Sequence, residues 1–254
     1  MKKNIPAFIF MLVAANWAIA QTSEQSLRRI RTRIYDADFT GQAAALSEAR
    51  AQLEALKQRE GPTQVLAFYY AGFASWRLSL PANPDGLPQL KHVQDAINDL
   101  KRAIELKPDF ADACALLATV YEERVGLDPR GLGPTLGPVT SAMRRKSVEL
   151  APKNPRVVLL DSMTVFWTPE AYGGGREAGV KRALEAIGFF QNERLTDPLM
   201  PDWGLPHAWV FAGQAYLGLA KPDPTQARAA FAKALSIRPD FQLAKSLQRR
   251  VPAP

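Results

Sequence analysis

Four times along this 254-residue chain a helix-forming run stops at a proline, and Pro108, Pro152, Pro198 and Pro239 lie 44, 46 and 41 residues apart. The four runs are Lys101 to Pro108, Arg145 to Pro152, Gln191 to Pro198 and Ala232 to Pro239. Each carries apolar residues at helical spacing before its proline. Proline lacks the N–H that a helix needs and drives the preceding residue out of helical geometry, so each run predicts a helix end. New helical patterns follow over Phe110 to Arg124, Pro155 to Phe166 and Leu205 to Leu219. The repeating unit is therefore helix, turn, helix, proline. Strand patterns are almost absent, while Ala, Leu, Arg, Gln and Glu dominate. A self-similar period of this length means stacked supersecondary units, and the expected fold is all-α.

The last unit is the most informative. Trp209, Ala212, Gly213 and Tyr216 fall on its first helix, and Ala227, Phe231, Ala234 and Pro239 on its second. This pattern closely resembles the tetratricopeptide repeat (TPR) signature, with a turn two residues longer than usual. The second unit keeps Leu117, Ala118, Tyr121 and Pro152, with Thr140 and Ser147 in place of small apolar residues. The first keeps Gly72, Ala96, Leu100, Ala103 and Pro108. The third keeps Ala186, Phe190 and Pro198 but has Asp161 and Ser162 where small apolar residues are expected. The resemblance covers Val65 to Phe241. It implies a right-handed superhelix of helical hairpins with close helix contacts at the small residues. Ser79 to Lys91, Val125 to Gly137 and Thr168 to Gly175 read as long irregular insertions, rich in Pro and Gly.

The expected organisation is a signal peptide over residues 1–20, N-terminal capping helices over 21–64, four hairpins over 65–240, and a capping helix with a loose tail over 241–254. The capping helices are expected over Ser23 to Tyr35 and Phe39 to Arg59. At the N-terminus Lys2 and Lys3 precede a mostly apolar run from Ile5 to Ile19, closed by Ala18-Ile19-Ala20. This is the pattern of a secretory signal cleaved before Gln21. The run is shorter than the ~20 residues that cross a bilayer, so no integral span is expected after cleavage. The expected location is periplasmic or secreted.

Several function classes find little support. Cleavage after Ala20 would lower the formal charge from +7 to +5, and Arg28, Arg29, Arg31 and Arg33 read as a solvated face, so a nucleic-acid partner is not expected. Cys114, the one cysteine, sits in an apolar run and reads as a buried small hydrophobe. His92 and His207 are the only histidines and lie in different units, so no metal site is expected. Asp95, Asp99, Asp109 and Asp112 read as exposed or capping positions, and Glu122 with Glu123 as a solvated helix face. Gly174 to Lys181 lacks the Lys-Ser/Thr ending of a phosphate loop and follows no strand, so the glycines read as a turn. No cofactor is called for, and no enzyme signature is present.

In TPR arrays the first helix of each pair lines a concave groove. By that resemblance the groove residues are Tyr69, Phe73 and Trp76 in the first unit, and Asp112, Thr119 and Glu122 in the second. Arg156, Met163 and Phe166 come from the third, and His207, Val210 and Gln214 from the fourth. Tyr69, Phe73 and Trp76 share one helix face by spacing alone, either as core or as an exposed aromatic platform. The expected function is a non-enzymatic scaffold or adaptor in the bacterial cell envelope that binds another protein or peptide. The alternative is a periplasmic small-ligand-binding component associated with a transport system.

Overall fold

The computed structural model describes residues 7–80 and 89–252, with side chains from Gln21 onward. The helices are α1 Ala7–Thr40, α2 Ala43–Gln52, α3 Glu54–Lys57, α4 Pro62–Ser79, α5 Leu90–Leu106, α6 Ala111–Leu127 and α7 Pro129–Leu150. Then come α8 Pro155–Trp167, α9 Arg176–Asn192, α10 Leu205–Leu217, α11 Pro224–Ile237 and α12 Gln242–Arg250. A single 3₁₀ turn spans Glu170–Tyr172, and no strand occurs among the described residues. The pairs α4–α5, α6–α7, α8–α9 and α10–α11 form four helical hairpins, whose first helices also pack against one another in series. This is a TPR-like helical repeat stack.

The repeat prolines act as expected in three units. Lys107, Ala151 and Arg238, each just before its proline, all leave helical geometry with φ of −140°, −149° and −131°. The small residues also do what the pattern requires. A Cβ on Gly72 would lie 2.6 Å from Leu100 Cγ, and one on Gly213 would lie 2.5 Å from a ring carbon of Phe231. Ala118, Ala227 and Phe231 are buried, Trp209 and Tyr216 flank the contact half-buried, and Pro239 stands exposed at the helix end. Tyr121 of α6 is also buried.

Elsewhere the structure departs from the sequence expectation. The capping region has no break at Tyr35: α1 is one helix to Thr40, and the chain turns at Gly41, whose φ of +68° suits glycine. Helix α7 extends through Gly131, Gly133, Pro134, Gly137 and Pro138, a stretch expected to be irregular. Asp128 accepts a 3.0 Å hydrogen bond from Gly131 N at its start, Pro129 takes the first helical position, where a missing N–H costs nothing, and the helix carries Pro134 and Pro138 in its interior. Pro198 does not end a helix, because α9 stops at Asn192. Val251 is buried rather than loose. Of the insertion at Ser79 to Lys91, residues 81–88 lie outside the described residues, as does most of the signal-like segment's side-chain detail.

Helix α1 does more than cap one end. Its Asp38 accepts from Arg77 of α4 at 2.5 Å and bonds His207 of α10 at 2.9 Å. Phe39 meets Phe241, with ring centroids 4.9 Å apart at 86°. Arg238, at the end of α11, bonds Asp36 at 3.1 Å. The N-terminal helix thus ties the first hairpin to the last.

Candidate binding site on the concave face

The first helices of the hairpins, α4, α6, α8 and α10, bring the expected groove residues to one side, but the chain fills half of that groove itself. Tyr69, Phe73 and Trp76 are buried. The segment from Glu193 to Gly204, between α9 and α10, folds back over them. Trp203 packs against Phe73 with centroids 4.9 Å apart and against Trp76 at 6.0 Å. Its Nε1 donates to Tyr69 Oη at 2.8 Å, and Tyr70 Oη donates to the Leu199 carbonyl at 2.7 Å. Arg31 of α1 holds the same segment by donating to the Pro198 and Met200 carbonyls at 2.8 and 3.2 Å. The aromatic stripe is therefore core and not an exposed platform. Nothing in the repeat pattern pointed to Trp203, which lies outside the repeats in Pro201-Asp202-Trp203-Gly204.

Arg156 is likewise unavailable to a partner. It is 2 % exposed and donates from Nε to Asp112 at 2.6 Å. It also makes a two-pronged pair with Glu193, one contact being 3.0 Å. Burial alone would depress its pKa, but the two carboxylates outweigh that and raise it. These groups line a cavity of about 480 Å³ together with Lys153 and Arg194. Asp112 and Asp99, which read from the sequence as exposed or capping positions, are both buried ion-pair members, Asp99 with Lys57 at 2.7 Å and Arg50 at 2.9 Å. Glu122 turns to α8, where Thr164 donates to it at 2.8 Å.

What stays open is a cleft of about 420 Å³ at the other end of the groove. Trp76 and Arg77 enter it from α4, Thr119 and Glu123 from α6, Met163, Phe166 and Trp167 from α8, and His207, Val210, Phe211 and Gln214 from α10. Trp203 closes the inner end, and Leu243 of α12 reaches its edge. Of the groove residues inferred from the repeat pattern, Trp76, Thr119, Met163, Phe166, His207, Val210 and Gln214 meet here. Tyr69, Phe73, Asp112, Glu122 and Arg156 do not. At the mouth Trp167 is 70 % exposed, with the Arg176 guanidinium 5.4 Å from its ring centre and as far from that of Phe166. Tyr172, 83 % exposed, lies on the turn beyond. Gly173 to Gly175 form that turn, with Gly175 N donating to the Val165 carbonyl at 3.0 Å.

Two polar groups in the cleft are perturbed. Burial pushes the Glu123 carboxyl up to about 7, although Trp76 Nε1 donates to it at 2.7 Å and Ser79 Oγ lies 3.2 Å away. Burial also lowers the His207 pKa, against the pull of Asp38. Burial would raise Asp38 itself, but Arg77 and the His207 hydrogen bond outweigh that and hold it at about 2. Asp38 is thus an acceptor only, so His207 Nε2 carries the proton. In the neutral ring Nδ1 is then a bare acceptor, and it is buried without a hydrogen-bond partner among the described residues.

Cys114 is buried, and burial raises its thiol pKa, which leaves it a poor nucleophile. Among the described residues no group of three His, Cys, Asp or Glu side chains comes together as a metal site. Also among the described residues, no helix is long and apolar enough to cross a membrane.

No protein-family model matches the sequence, and a search of curated proteins returns no match. Solved structures do match. The thermophilic TPR protein TTC0263 of Thermus thermophilus superposes with a TM-score of 0.60 at 18 % identity, over 89 % of this chain and 97 % of that one. The HusA haemophore from Porphyromonas gingivalis superposes with a TM-score of 0.57, also at 18 % identity, over 80 % of this chain and 94 % of that one. Both are TPR-like all-helical folds, and this chain shares that architecture.

Proposed function

We propose that this chain is a non-enzymatic binding protein whose concave cleft holds a compact, largely apolar ligand. The observation that supports it is the 420 Å³ space left between α4, α6, α8 and α10, walled by three indoles, two phenylalanines and a methionine with few polar groups. Such a volume and lining are those of small-molecule sites. An extended peptide would instead need the whole groove, and Trp203 already occupies its inner half. The ligand reading, the alternative at the sequence level, therefore has more support than the adaptor reading.

The test is a titration with N-phenyl-1-naphthylamine, a neutral apolar fluorophore, following both its emission and quenching of the indoles. Saturable binding is expected, and Thr119→Phe, which fills the cleft from α6, should abolish it. The name of the HusA neighbour makes haemin a sensible second probe. Dye that binds equally well to the filled variant would show that the cleft is not the site.

A second reading rests on the mouth. Trp167 and Tyr172 are large, exposed and close together in sequence, as a contact for a partner protein would be. Both readings fit an exported protein cleaved after Ala20. N-terminal sequencing of mature material should begin at Gln21, and retention of Met1 to Ala20 would remove the export proposal.

A further inference from the structure

We propose that the ligand is an organic cation, a primary or secondary ammonium on an aromatic or branched apolar body, with Glu123 as its counter-charge. This rests on the reading of the cleft as a ligand site and names the chemistry that the cleft selects.

Four buried aspartates each have a cation of their own, whereas Glu122 and Glu123, neighbours on α6, have no ion-pair partner among the described residues. Asp38 has Arg77 at 2.5 Å, Asp99 has Lys57 at 2.7 Å, Asp112 has Arg156 at 2.6 Å and Asp161 has Arg144 at 2.8 Å. Glu123 is different: its hydrogen-bond partners among the described residues are the neutral Trp76 indole and the Ser79 hydroxyl. Ser79 has a single hydrogen, and the Trp76 carbonyl lies closer to it, at 2.7 Å. The contact between Ser79 Oγ and Glu123 is therefore best made with the acid as donor. That geometry suits a neutral carboxyl, in keeping with its raised pKa.

The charged groups around Glu123 do not supply the missing cation. Arg77, on α4, is committed to Asp38 and lies 5.1 Å over the Trp76 ring. His207, on α10, is bonded to Asp38 and kept neutral by burial. Glu122, next along α6, turns to Thr164, with Arg144 and Asp161 paired beyond it. Arg176, on α9, stays at the mouth and donates to the Gly218 carbonyl.

What remains in the cleft is an acceptor and π faces. Trp203 offers an indole that attracts a cation and is indifferent to an alcohol, whereas Trp76 and Trp167 already carry the Arg77 and Arg176 guanidiniums over one face. An ammonium would meet the carboxylate and lie against an indole, while its apolar body fills the rest. A carboxylate ligand would face Glu123 as a like charge.

Three probes of one shape separate the possibilities: 3-phenylpropylammonium, 3-phenylpropanol and 3-phenylpropionate, each titrated by calorimetry. At pH 8.5 the ammonium should bind roughly tenfold tighter than the alcohol, with the carboxylate weakest. At pH 5.5, with Glu123 protonated, that advantage should shrink severalfold although the probe keeps its charge. Glu123→Gln should bind the alcohol as before and lose the preference for the ammonium at both pH values. The pH series on the unaltered protein decides the matter even if that variant does not fold. Equal affinity for ammonium and alcohol at pH 8.5 would overturn the proposal while leaving the cleft a ligand site. Entry of none of the three, nor of the neutral fluorophore, would overturn both.

Discussion

The indole of Trp203 donates a 2.8 Å hydrogen bond to the buried hydroxyl of Tyr69, joining the loop between the third and fourth hairpins to the first. Burying a tyrosine hydroxyl without a partner is costly, and so is burying an indole N–H. Each solves the other's problem. The consequence is functional, because the groove that an open TPR-like stack would offer along its whole length is reduced here to a cleft at one end.

Replacing Trp203 by alanine should therefore act first on stability. The ring is buried, it touches Phe73 and Trp76, and its loss strands the Tyr69 hydroxyl. Truncating a buried tryptophan costs about 3–5 kcal/mol, and chemical denaturation should show a loss of that size. A shift under about 0.5 kcal/mol, as at a surface site, would mean that the loop does not sit on the stripe.

Gly213→Leu probes the helix contact that defines the last hairpin. A Cβ at this position already meets Phe231 at 2.5 Å, so a leucine must push α10 and α11 apart. Overpacking of this kind costs about 1–3 kcal/mol. The urea midpoint should fall accordingly, and an unchanged midpoint would place Gly213 away from the contact.

The hairpins were legible because they are local. A proline ends a helix by its own geometry, and Gly72, Gly213 and Ala227 are small because a facing helix lies close. Seven of the groove residues that the resemblance implied line one cleft. What was not legible depends on contacts distant in sequence. Tyr69 and Phe73 have the same spacing whether Trp203 covers them or not, and Trp203 lies more than a hundred residues away in no repeating pattern. Glu123 resembles any exposed helix acid until Trp76 and Ser79 of another helix are placed beside it. Helix α7 misleads in the opposite sense. Its Gly and Pro content signals a loop, yet the stretch is helical from Pro129 onward.

Arg156 should prove structural and not a partner contact. Arg156→Met leaves Asp112 and Glu193 close together without their cation, and breaking a buried pair from one side costs about 3–5 kcal/mol. Thermal denaturation should report that loss. Normal stability combined with loss of a binding activity would return Arg156 to the binding surface.

The two perturbed groups of the cleft pull stability in opposite directions as pH changes. Glu123 has an ordinary value of 4.5 and is pushed to about 7 in the fold, so between these values the folded chain holds a proton that the unfolded chain has released. Its contribution is fully present below 4.5 and is lost as pH rises to about 7. His207 is lowered from 6.5, so the unfolded chain takes its proton first. That contribution is present above 6.5 and is lost as pH falls below it. From pH 4.5 to 6.5 the two slopes oppose each other, and the unaltered protein should show a shallow dependence that hides both. Glu123→Gln removes only the first. The stability difference between wild type and this variant, measured by urea denaturation across pH 4 to 8, should fall steadily between 4.5 and 7. The fall should be at most about 3 kcal/mol, and the difference should be flat above pH 7.5. With the glutamate gone, the variant's own curve should decline on acidification below 6.5, the signature of His207. A difference that does not vary with pH would mean that Glu123 titrates as an exposed acid and is not buried against Trp76 in the cleft.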